Sequence, residues 1–348
     1  MSASYVINGR FRGRAPTGVQ RVASTITARL TGHATVISPR RPLNGVVGHM
    51  WEQCVLPGLV GDRLLWSPCN TGPLLTENQV VTIHDAAVFD FPGSFSNSFR
   101  EGYRLLLPKL AQRVRRVTTV SEFSRQRLSE HLKLDADRID VIWNGVDSHF
   151  EPQPEEHVQT VTSALGLKPQ EYFAALSTIE PRKNLQLTIN AWQQARQRAG
   201  CGLDEMKLVV VGATGPAKIF GRHSTTAAAE NIIFTGYLPE EQLPAVLAGA
   251  RAVLFPSLYE GFGLPIVEAM ACGTPTVVTR RGSLPEVAGD AALYVDAIDP
   301  SDLADAMIRL AHDDALRAGL SQKGLERAKL FSWDAAAAQY DAILSRFA

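Results

Sequence analysis

Strand-length apolar runs alternate with helical stretches along the whole 348-residue chain. Six such runs come first, at Tyr5–Asn8, Ala34–Ser38, Leu64–Cys69, Gln79–Asp85, Arg116–Ser121 and Ile139–Asn144. The alternation restarts after the Pro- and Glu-rich stretch 151–157, with runs at Tyr172–Ser177, Lys207–Gly212, Asn231–Gly236, Ala252–Ser257, Pro275–Arg280 and Ala291–Val295. Parallel sheets covered by helices on both faces produce this alternation. The sequence therefore predicts an α/β protein with two doubly wound parallel sheets, in domains joined near residue 150.

Bulk properties narrow the classes of partner and compartment. The chain is longer than one core usually grows, so two domains with a cleft between them are expected. Lys plus Arg equals Asp plus Glu at 35 each, which gives no general affinity for nucleic acid. No signal peptide pattern and no apolar run of bilayer length is found, which predicts a cytoplasmic protein, soluble or peripheral on a membrane. The cysteines lack C-x-x-C spacing and are expected to be buried reduced thiols: Cys54, Cys69, Cys201 and Cys272.

The segment Ser257–Val278 carries the strongest chemical pattern, because two carboxylates flank a glycine-rich turn. We expect Glu260 to end a strand and Glu268 to lie one turn inside a helix that begins at Pro265. The amides of the intervening Gly261, Phe262, Gly263 and Leu264 would then favour an anion near the helix start. A plainer alternative is a tight turn with two solvated glutamates.

Two further segments follow strands and lead into helices. Arg182 and Lys183 are adjacent cations suited to phosphate oxygens, and an anion would explain cations beside a helix N-terminus. Gly9–Gly18 is glycine-rich but is not the G-x-G-x-x-G dinucleotide motif. Three arginines lie in this segment and a fourth in the helix that follows: Arg10, Arg12, Arg14 and Arg21. These arginines either bind an anionic acceptor or are simply exposed to solvent.

These motifs resemble the retaining glycosyltransferases of family 4, and the resemblance covers most of the chain. Glu260 and Glu268 match the E-x7-E pattern, and the other matches are Thr119–Arg125, Asn144–Asp147, Ile179–Leu185 and Phe331–Asp334. The resemblance implies the GT-B fold, two Rossmann-like domains facing across a cleft. Residues 1–150 would form the acceptor domain, joined by the last helix at about 333–348, and residues 160–332 the donor domain. One departure is Ser177, near a place where many relatives have an arginine.

The resemblance also implies roles for individual residues. Glu260, His84, Arg182 and Lys183 would be catalytic, with Glu260 on the donor sugar and the two cations on the diphosphate. Glu268 would bind the ribose of the donor, and Gly18 would contact its diphosphate. The sugar and phosphate would be bound by the backbone of the loop Gly261, Phe262, Gly263 and Leu264. Tyr237 and Leu238 would lie against the base. No D-x-D pair is positioned for magnesium, so metal independence and no cofactor beyond the donor are expected.

His84 in the sequence VVTIHDA has an unperturbed pKa near neutrality, which invites a role as catalytic base. The resemblance instead implies a front-face substitution in which the leaving phosphate helps to deprotonate the acceptor. Histidine would then support the sugar by hydrogen bonding and charge. The structural alternative is a strand-end histidine paired with Asp85.

Residues 100–116 carry six cations and one acid among leucines. A basic amphipathic helix of this kind can lie on an anionic membrane, although a solvated cationic face over buried leucines is the commoner explanation. Pro108 is expected to kink the helix. We favour contact with the inner face of the cytoplasmic membrane, because family relatives often act on lipid-linked acceptors.

The sequence is thus interpreted as a retaining, metal-independent hexosyltransferase that acts in polysaccharide or glycolipid biosynthesis. The STIEPRKNL and RGSLPEV passages resemble bacterial mannosyltransferases, which favours mannose from GDP-mannose, moved to a saccharide acceptor that is lipid-linked. Transferases that use UDP-glucose, UDP-galactose or a dTDP-sugar are the second choice. A nucleotide-sugar epimerase and a non-catalytic nucleotide-sugar-binding subunit are the remaining alternatives.

Overall fold

A computed structural model describes residues 5–13, 17–30, 34–177, 180–198, 200–212 and 231–348. Contacts divide it into two compact units, which are treated separately below. The first unit runs up to Gly145 and also contains Ser332–Ala348, and the second is Val146–Phe331.

The first unit contains a six-stranded parallel sheet in the order β2-β1-β3-β4-β5-β6. The strands are β1 Tyr5–Asn8, β2 Ala34–Ile37, β3 Leu65–Ser67, β4 Gln79–Thr82, β5 Arg116–Thr119 and β6 Ile139–Val141. The described helices are α1 Gly18–Arg29, α2 Gly45–Cys54, α3 Leu56–Val60, α4 Ala87–Asp90, α5 Asn97–Arg113 and α6 Glu122–Leu132. Because β1 is flanked by β2 on one side and β3 on the other, the strand order reverses between β1 and β3.

The second unit repeats this plan with the order β12-β11-β10-β7-β8-β9, again all parallel. Its strands are β7 Tyr172–Leu176, β8 Lys207–Val211, β9 Ile232–Gly236, β10 Ala252–Phe255, β11 Thr276–Thr279 and β12 Ala292–Val295. Its described helices are α7 Glu155–Ala164, α8 Leu185–Gln197, α9 Leu243–Ala248, α10 Leu264–Ala271, α11 Leu284–Ala288, α12 Pro300–His312 and α13 Asp314–Ala328. Here the order reverses between β7 and β10.

Both doubly wound sheets predicted from the sequence are therefore confirmed. Each predicted apolar run contains one strand, although most strands end a few residues earlier than the runs do. Hydrophobic clusters cover both faces of the second sheet, one built around Phe173 and Trp192, the other around Tyr172 and Phe255. Such burial on two faces explains why parallel strands have near-continuous apolar sequences.

The last helix, α14 (Trp333–Phe347), packs on α1 in the first unit. The ring centroids of Tyr340 and Trp66 are 4.9 Å apart, and Tyr5 donates a hydrogen bond of 2.9 Å to Asp341. A Cβ on Gly145 would lie 2.1 Å from the Trp333 backbone nitrogen, so only glycine fits where these two segments meet.

One smaller expectation is corrected. Cys201 and Cys272 are buried free thiols, but Cys54, at the end of α2, is exposed and Cys69 is half-buried. Pro108, where a kink is expected, lies inside the helix α5. None of the helices in the described ranges combines the length and the apolar composition needed to cross a bilayer.

Candidate active site

Glu260 lies in the loop between β10 and α10 and is only 6% exposed. The prediction that it ends a strand is wrong, because β10 ends at Phe255 and the chain then passes through Pro256 before it reaches Glu260. Proline has no backbone N–H to continue the ladder, which fits the early end of the strand. The loop brings the carboxylate inward instead of leaving it solvated.

Two cations hold the Glu260 carboxylate. Lys183 Nζ lies 2.7 Å from Oε1, and Arg182 Nη1 lies 3.2 Å from Oε2. Arg182 also donates through Nε to Glu180, at 2.7 Å. Burial alone would raise the pKa of Glu260, but the charges of Lys183 and Arg182 outweigh it and lower the pKa below its usual value. The carboxylate is therefore ionised at neutral pH.

The cations are positioned by a short 3-10 helix, Pro181–Lys183, that follows β7. Asn184 ends it in the left-handed conformation, at φ 56°, and donates through Nδ2 to the carbonyls of Pro256 and Ala297, at 3.1 and 2.8 Å. The Leu258 amide donates to the Arg182 carbonyl at 2.8 Å. The bonds to Pro256 and from Leu258 join the loops after β7 and β10, the two strands between which the order reverses, and the bond to Ala297 reaches the segment after β12. In doubly wound folds this is the place where ligands bind. Ile179, which belongs to the predicted phosphate loop, lies outside the described residues.

A second set of contacts, after β11, fixes the same loop from the other side. Ser283 Oγ donates to the carbonyls of Glu260 and Phe262, at 3.1 and 2.9 Å. Gly282 has φ 61°, and a Cβ there would lie 2.7 Å from the Glu260 carbonyl oxygen. Neither residue had a role predicted from the sequence. The signal that could have found them is the glycine two residues after the strand-length run Pro275–Arg280.

The glycine-rich turn leads from Glu260 into α10. Gly263 precedes the helix at φ 100°, a conformation that favours glycine. Phe262 is buried and meets Phe331 edge to face, with ring centroids 5.6 Å apart. The helix begins at Leu264, so Pro265 is its second residue and not its first as predicted. Glu268 is buried one turn further along α10, as predicted.

Tyr237 and Leu238 directly follow β9, the edge strand of the same sheet. Tyr237 is 77% exposed, whereas Leu238 is partly buried against the core. Strands β7 and β8 separate β9 from β10, so these residues share the carboxyl edge of the sheet with Glu260 without adjoining it.

His84 follows β4 in the first unit and is buried. Its Nε2 donates to the Pro68 carbonyl at 2.9 Å, and its backbone amide donates to Asn70 Oδ1 at 2.8 Å. Burial lowers the pKa of the imidazole, so the ring is neutral at pH 7 and does not contribute the positive charge that we expected. The tautomer with a proton on Nε2 leaves Nδ1 as an acceptor.

The described arginines of the segment Gly9–Gly18 are not all exposed, which differs from one of the two expectations for them. Gly18 is the first residue of α1, and a Cβ there would have nothing within 4 Å. Arg12 is exposed, but Arg10 is buried, with Nε 3.1 Å from Glu52 Oε1 and Nη2 donating to Thr71 Oγ1 at 2.7 Å. Arg14 lies outside the described residues. Glu52 was not predicted from the sequence. Its one signal is that it is the single acidic residue in α2.

Comparisons with known proteins agree with this architecture. Residues 162–327 match the family model "Glycosyl transferases group 1", and residues 70–150 match "Glycosyltransferase Family 4". The O-antigen chain mannosyltransferase B of Escherichia coli is 32% identical over 268 residues, which are 75% of this chain and 68% of that protein. The serotype-specific mannosyltransferase WbdA of Escherichia coli is 31% identical over 241 residues, 68% of this chain but only 29% of WbdA. Among solved structures, HepE from Anabaena in complex with UDP and glucose has a TM-score of 0.77 at 18% identity, covering 99% of this chain and 100% of HepE.

Proposed function

This chain belongs to the family 4 glycosyltransferases, which have the GT-B fold, and on that basis we propose that it transfers mannose from GDP-mannose to a saccharide hydroxyl. The observation that carries the proposal is the ionised, buried Glu260 with Lys183 and Arg182 where the strand order reverses. The mannosyltransferases among the relatives support the choice of sugar and, with it, the choice of GDP. O-antigen or related polysaccharide synthesis is the proposed setting.

In the proposed reaction the bond between the anomeric carbon and the β-phosphate oxygen breaks, and a bond from the acceptor oxygen to that carbon forms. Lys183 and Arg182 offset the charge that develops on the leaving diphosphate. Glu260 accepts hydrogen bonds from sugar hydroxyls and its charge favours the oxocarbenium-like centre. The acceptor proton leaves with the phosphate, on the same face, so the anomeric configuration is retained.

The remaining assignments are proposed on the same grounds. Glu268 accepts hydrogen bonds from the ribose hydroxyls, and the turn from Gly261 to Leu264 offers backbone groups to the sugar and phosphate. Gly18 allows close backbone approach to the diphosphate, and Tyr237 with Leu238 lies against the base. His84, being neutral, supports the sugar by hydrogen bonding through Nδ1 and not by charge. Since two cations already face the diphosphate, the reaction needs no metal ion.

We also propose that the first unit contacts an anionic membrane, which suits a lipid-linked acceptor. Most exposed large apolar side chains of the described residues lie on α2, α3 and α5 or between α2 and α3: Val46, Val47, Met50, Val55, Leu59, Phe99 and Leu105. Exposed cations of α5 accompany them: Arg104, Lys109 and Arg113. Two of the six predicted cations are paired instead, Arg100 with Glu101 and Arg116 with Asp140. Apolar and basic side chains together favour an anionic interface.

The membrane contact is tested by sedimentation with liposomes of phosphatidylglycerol at low salt. We expect the protein to bind these liposomes, and we expect the binding to weaken with added salt and in the variant Met50→Asp, which places a negative charge at an exposed apolar position. Ile298→Asp, an exposed apolar position in the second unit, is the matched control and should bind like the wild type. Absence of binding at low salt would refute the proposal.

The donor is tested by thermal shift of the wild type with GDP, UDP, dTDP and ADP, because a ligand that binds only the folded state raises its stability. We expect a selective shift with GDP that is lost in Glu268→Ala and kept in Glu326→Ala, an exposed position on α13. The shift is compared within each variant, so a lower starting stability of Glu268→Ala does not obscure it. A selective UDP or dTDP shift would keep the enzyme class and overturn GDP-mannose.

A further inference from the structure

The strand order also reverses in the first unit, between β1 and β3, and doubly wound folds bind ligands at such places. Glu52 on α2 lies there with its carboxylate buried. Asn8, the last residue of β1, donates to Oε1 at 2.7 Å, and Thr71, after β3, donates to Oε2 at 2.9 Å. The Arg10 guanidinium completes the set of partners, 3.1 Å from Oε1. Burial would raise the pKa of Glu52, but its hydrogen bonds and the charge of Arg10 lower it, so the carboxylate is ionised.

His49 lies one turn before Glu52 on the same helix. Its Nδ1 is 3.6 Å from Glu52 Oε2, and its ring meets Tyr103 of α5 edge to face at a centroid distance of 5.9 Å. The neighbouring Gln53 anchors the helix, donating to the Gly72 carbonyl and accepting from the Leu74 amide, each at 2.9 Å. The side chain of His49 is 31% exposed, and no described residue makes a hydrogen bond with its Nε2. The ring thus contacts Glu52 and Tyr103, and part of the side chain stays accessible to solvent.

A carboxylate beside Nδ1 favours the tautomer with the proton on that nitrogen, which leaves Nε2 as an acceptor. A neutral hydroxyl is the natural partner for such an acceptor. The paired charges of Arg10 and Glu52 cancel, so this edge has no excess positive charge to attract a phosphate. The chemistry therefore favours a polyhydroxy ligand over an anion.

From this geometry we infer that His49 binds a hydroxyl group of the saccharide acceptor through Nε2, and that Glu52 is the residue that positions it. The inference rests on the proposed glycosyl transfer for the identity of its ligand. It also changes the role considered for Arg10, which holds Glu52 in place and does not bind an anionic acceptor.

The direct test is NMR of the protein with histidine side chains labelled, saturated with GDP and titrated with methyl α-mannoside. The His49 ring signal, assigned by its loss in His49→Gln, should shift saturably. His131 is the internal control, since its side chain is similarly exposed at 27% and its Nε2 already lies 2.7 Å from Asp90. A His49 signal that does not move, or that moves no more than that of His131, would overturn the inference.

Kinetics provide the second readout. In His49→Ala we expect the KM for methyl α-mannoside to rise about tenfold, the loss expected for one hydrogen bond, with the donor KM unchanged. His131→Ala should leave both constants as in the wild type. An equal rise in both KM values would assign His49 a structural role instead.

Glu52→Gln tests the positioning role. The ring nitrogen shifts of His49 should report a loss of preference for the Nδ1-protonated tautomer, a change that a merely structural carboxylate would not produce. If Glu52→Gln fails to fold, the wild-type titration still decides the acceptor contact. Failure of GDP to bind, with the His49 shift intact, would refute the proposed donor and leave this site standing.

Discussion

Lys183 Nζ and Glu260 Oε1 lie 2.7 Å apart, so the candidate active site contains an ion pair within the protein itself. Arg182 reaches the other carboxylate oxygen at 3.2 Å. A bound diphosphate would share both cations with Glu260. In the proposed reaction the carboxylate would orient the cations and would compete with the phosphate oxygens for them.

Glu260→Gln separates these two effects. The variant keeps the size of the side chain but releases Lys183 and Arg182 from a negative charge, so GDP should bind as tightly as to the wild type or more tightly. Transfer should fall about 100-fold, because a charged hydrogen-bonding partner of the sugar is lost. Isothermal titration with GDP and a rate assay measure the two quantities. Weaker GDP binding with unchanged transfer would contradict the assignment.

The ion pair also predicts a pH dependence of stability. The folded pKa of Glu260 is lowered, so its contribution is fully present above the unfolded value of about 4.3 and is lost as the pH falls through the folded pKa. At pH 7 the wild type should unfold at a higher temperature than Glu260→Gln. The gap in Tm should narrow as the pH is lowered from 5 to 3. A gap that stays constant over this range would show that the charge of Glu260 does not stabilise the fold.

Gly282→Ala should disrupt the Glu260 loop. The left-handed backbone and the clash with the Glu260 carbonyl together should destabilise the protein by at least about 2 kcal/mol. The rate of glycosyl transfer should fall as well, because the Glu260 loop must move to accommodate the added methyl group. Gly319→Ala, on the exposed face of α13 with open space around it, is the matched control and should be as stable as the wild type or more stable by up to about 1 kcal/mol, because alanine favours a helix interior more than glycine does. Equal denaturation midpoints for the two variants would argue against the contact.

Gly18→Ala tests the proposed approach of the donor to the start of α1. Since a Cβ there meets nothing within 4 Å, the variant should fold with unchanged Tm. If the donor diphosphate approaches this backbone closely, its KM should rise several-fold while the acceptor KM stays the same. Unchanged donor KM would remove Gly18 from the site.

Metal independence is tested with EDTA. If Lys183 and Arg182 supply the positive charge that a divalent cation would otherwise provide, EDTA should leave the rate within about twofold. Lys183→Ala should lose most activity, and added Mg²⁺ should not restore it. Loss of activity with EDTA, restored by Mg²⁺, would show that a metal ion takes part.

The local pattern of the sequence was sufficient to predict the two parallel sheets, since buried parallel strands such as Tyr172–Leu176 are continuous apolar runs. It also identified Glu260, because this residue and Glu268 flank a glycine-rich turn, and Lys183, because it is one of two adjacent cations before a helix. It could not predict that these two meet, since residues 77 positions apart are joined only by the pairing of β7 with β10. Ser283 and Glu52 were missed for the same reason. Their partners come from other strands, and their own neighbours in sequence carry no distinctive signal.

The measurement closest to the central claim is transfer of radiolabelled mannose from GDP-mannose to methyl α-mannoside and mannose-ended oligosaccharides. We predict a labelled saccharide product with an equal amount of GDP, formed only when acceptor is present and strongly reduced in Glu260→Gln. Turnover of GDP-mannose without acceptor would indicate an epimerase. Binding of GDP-mannose with no product from any of these acceptors, in the wild type and in Glu260→Gln alike, would contradict the account and favour a non-catalytic binding protein.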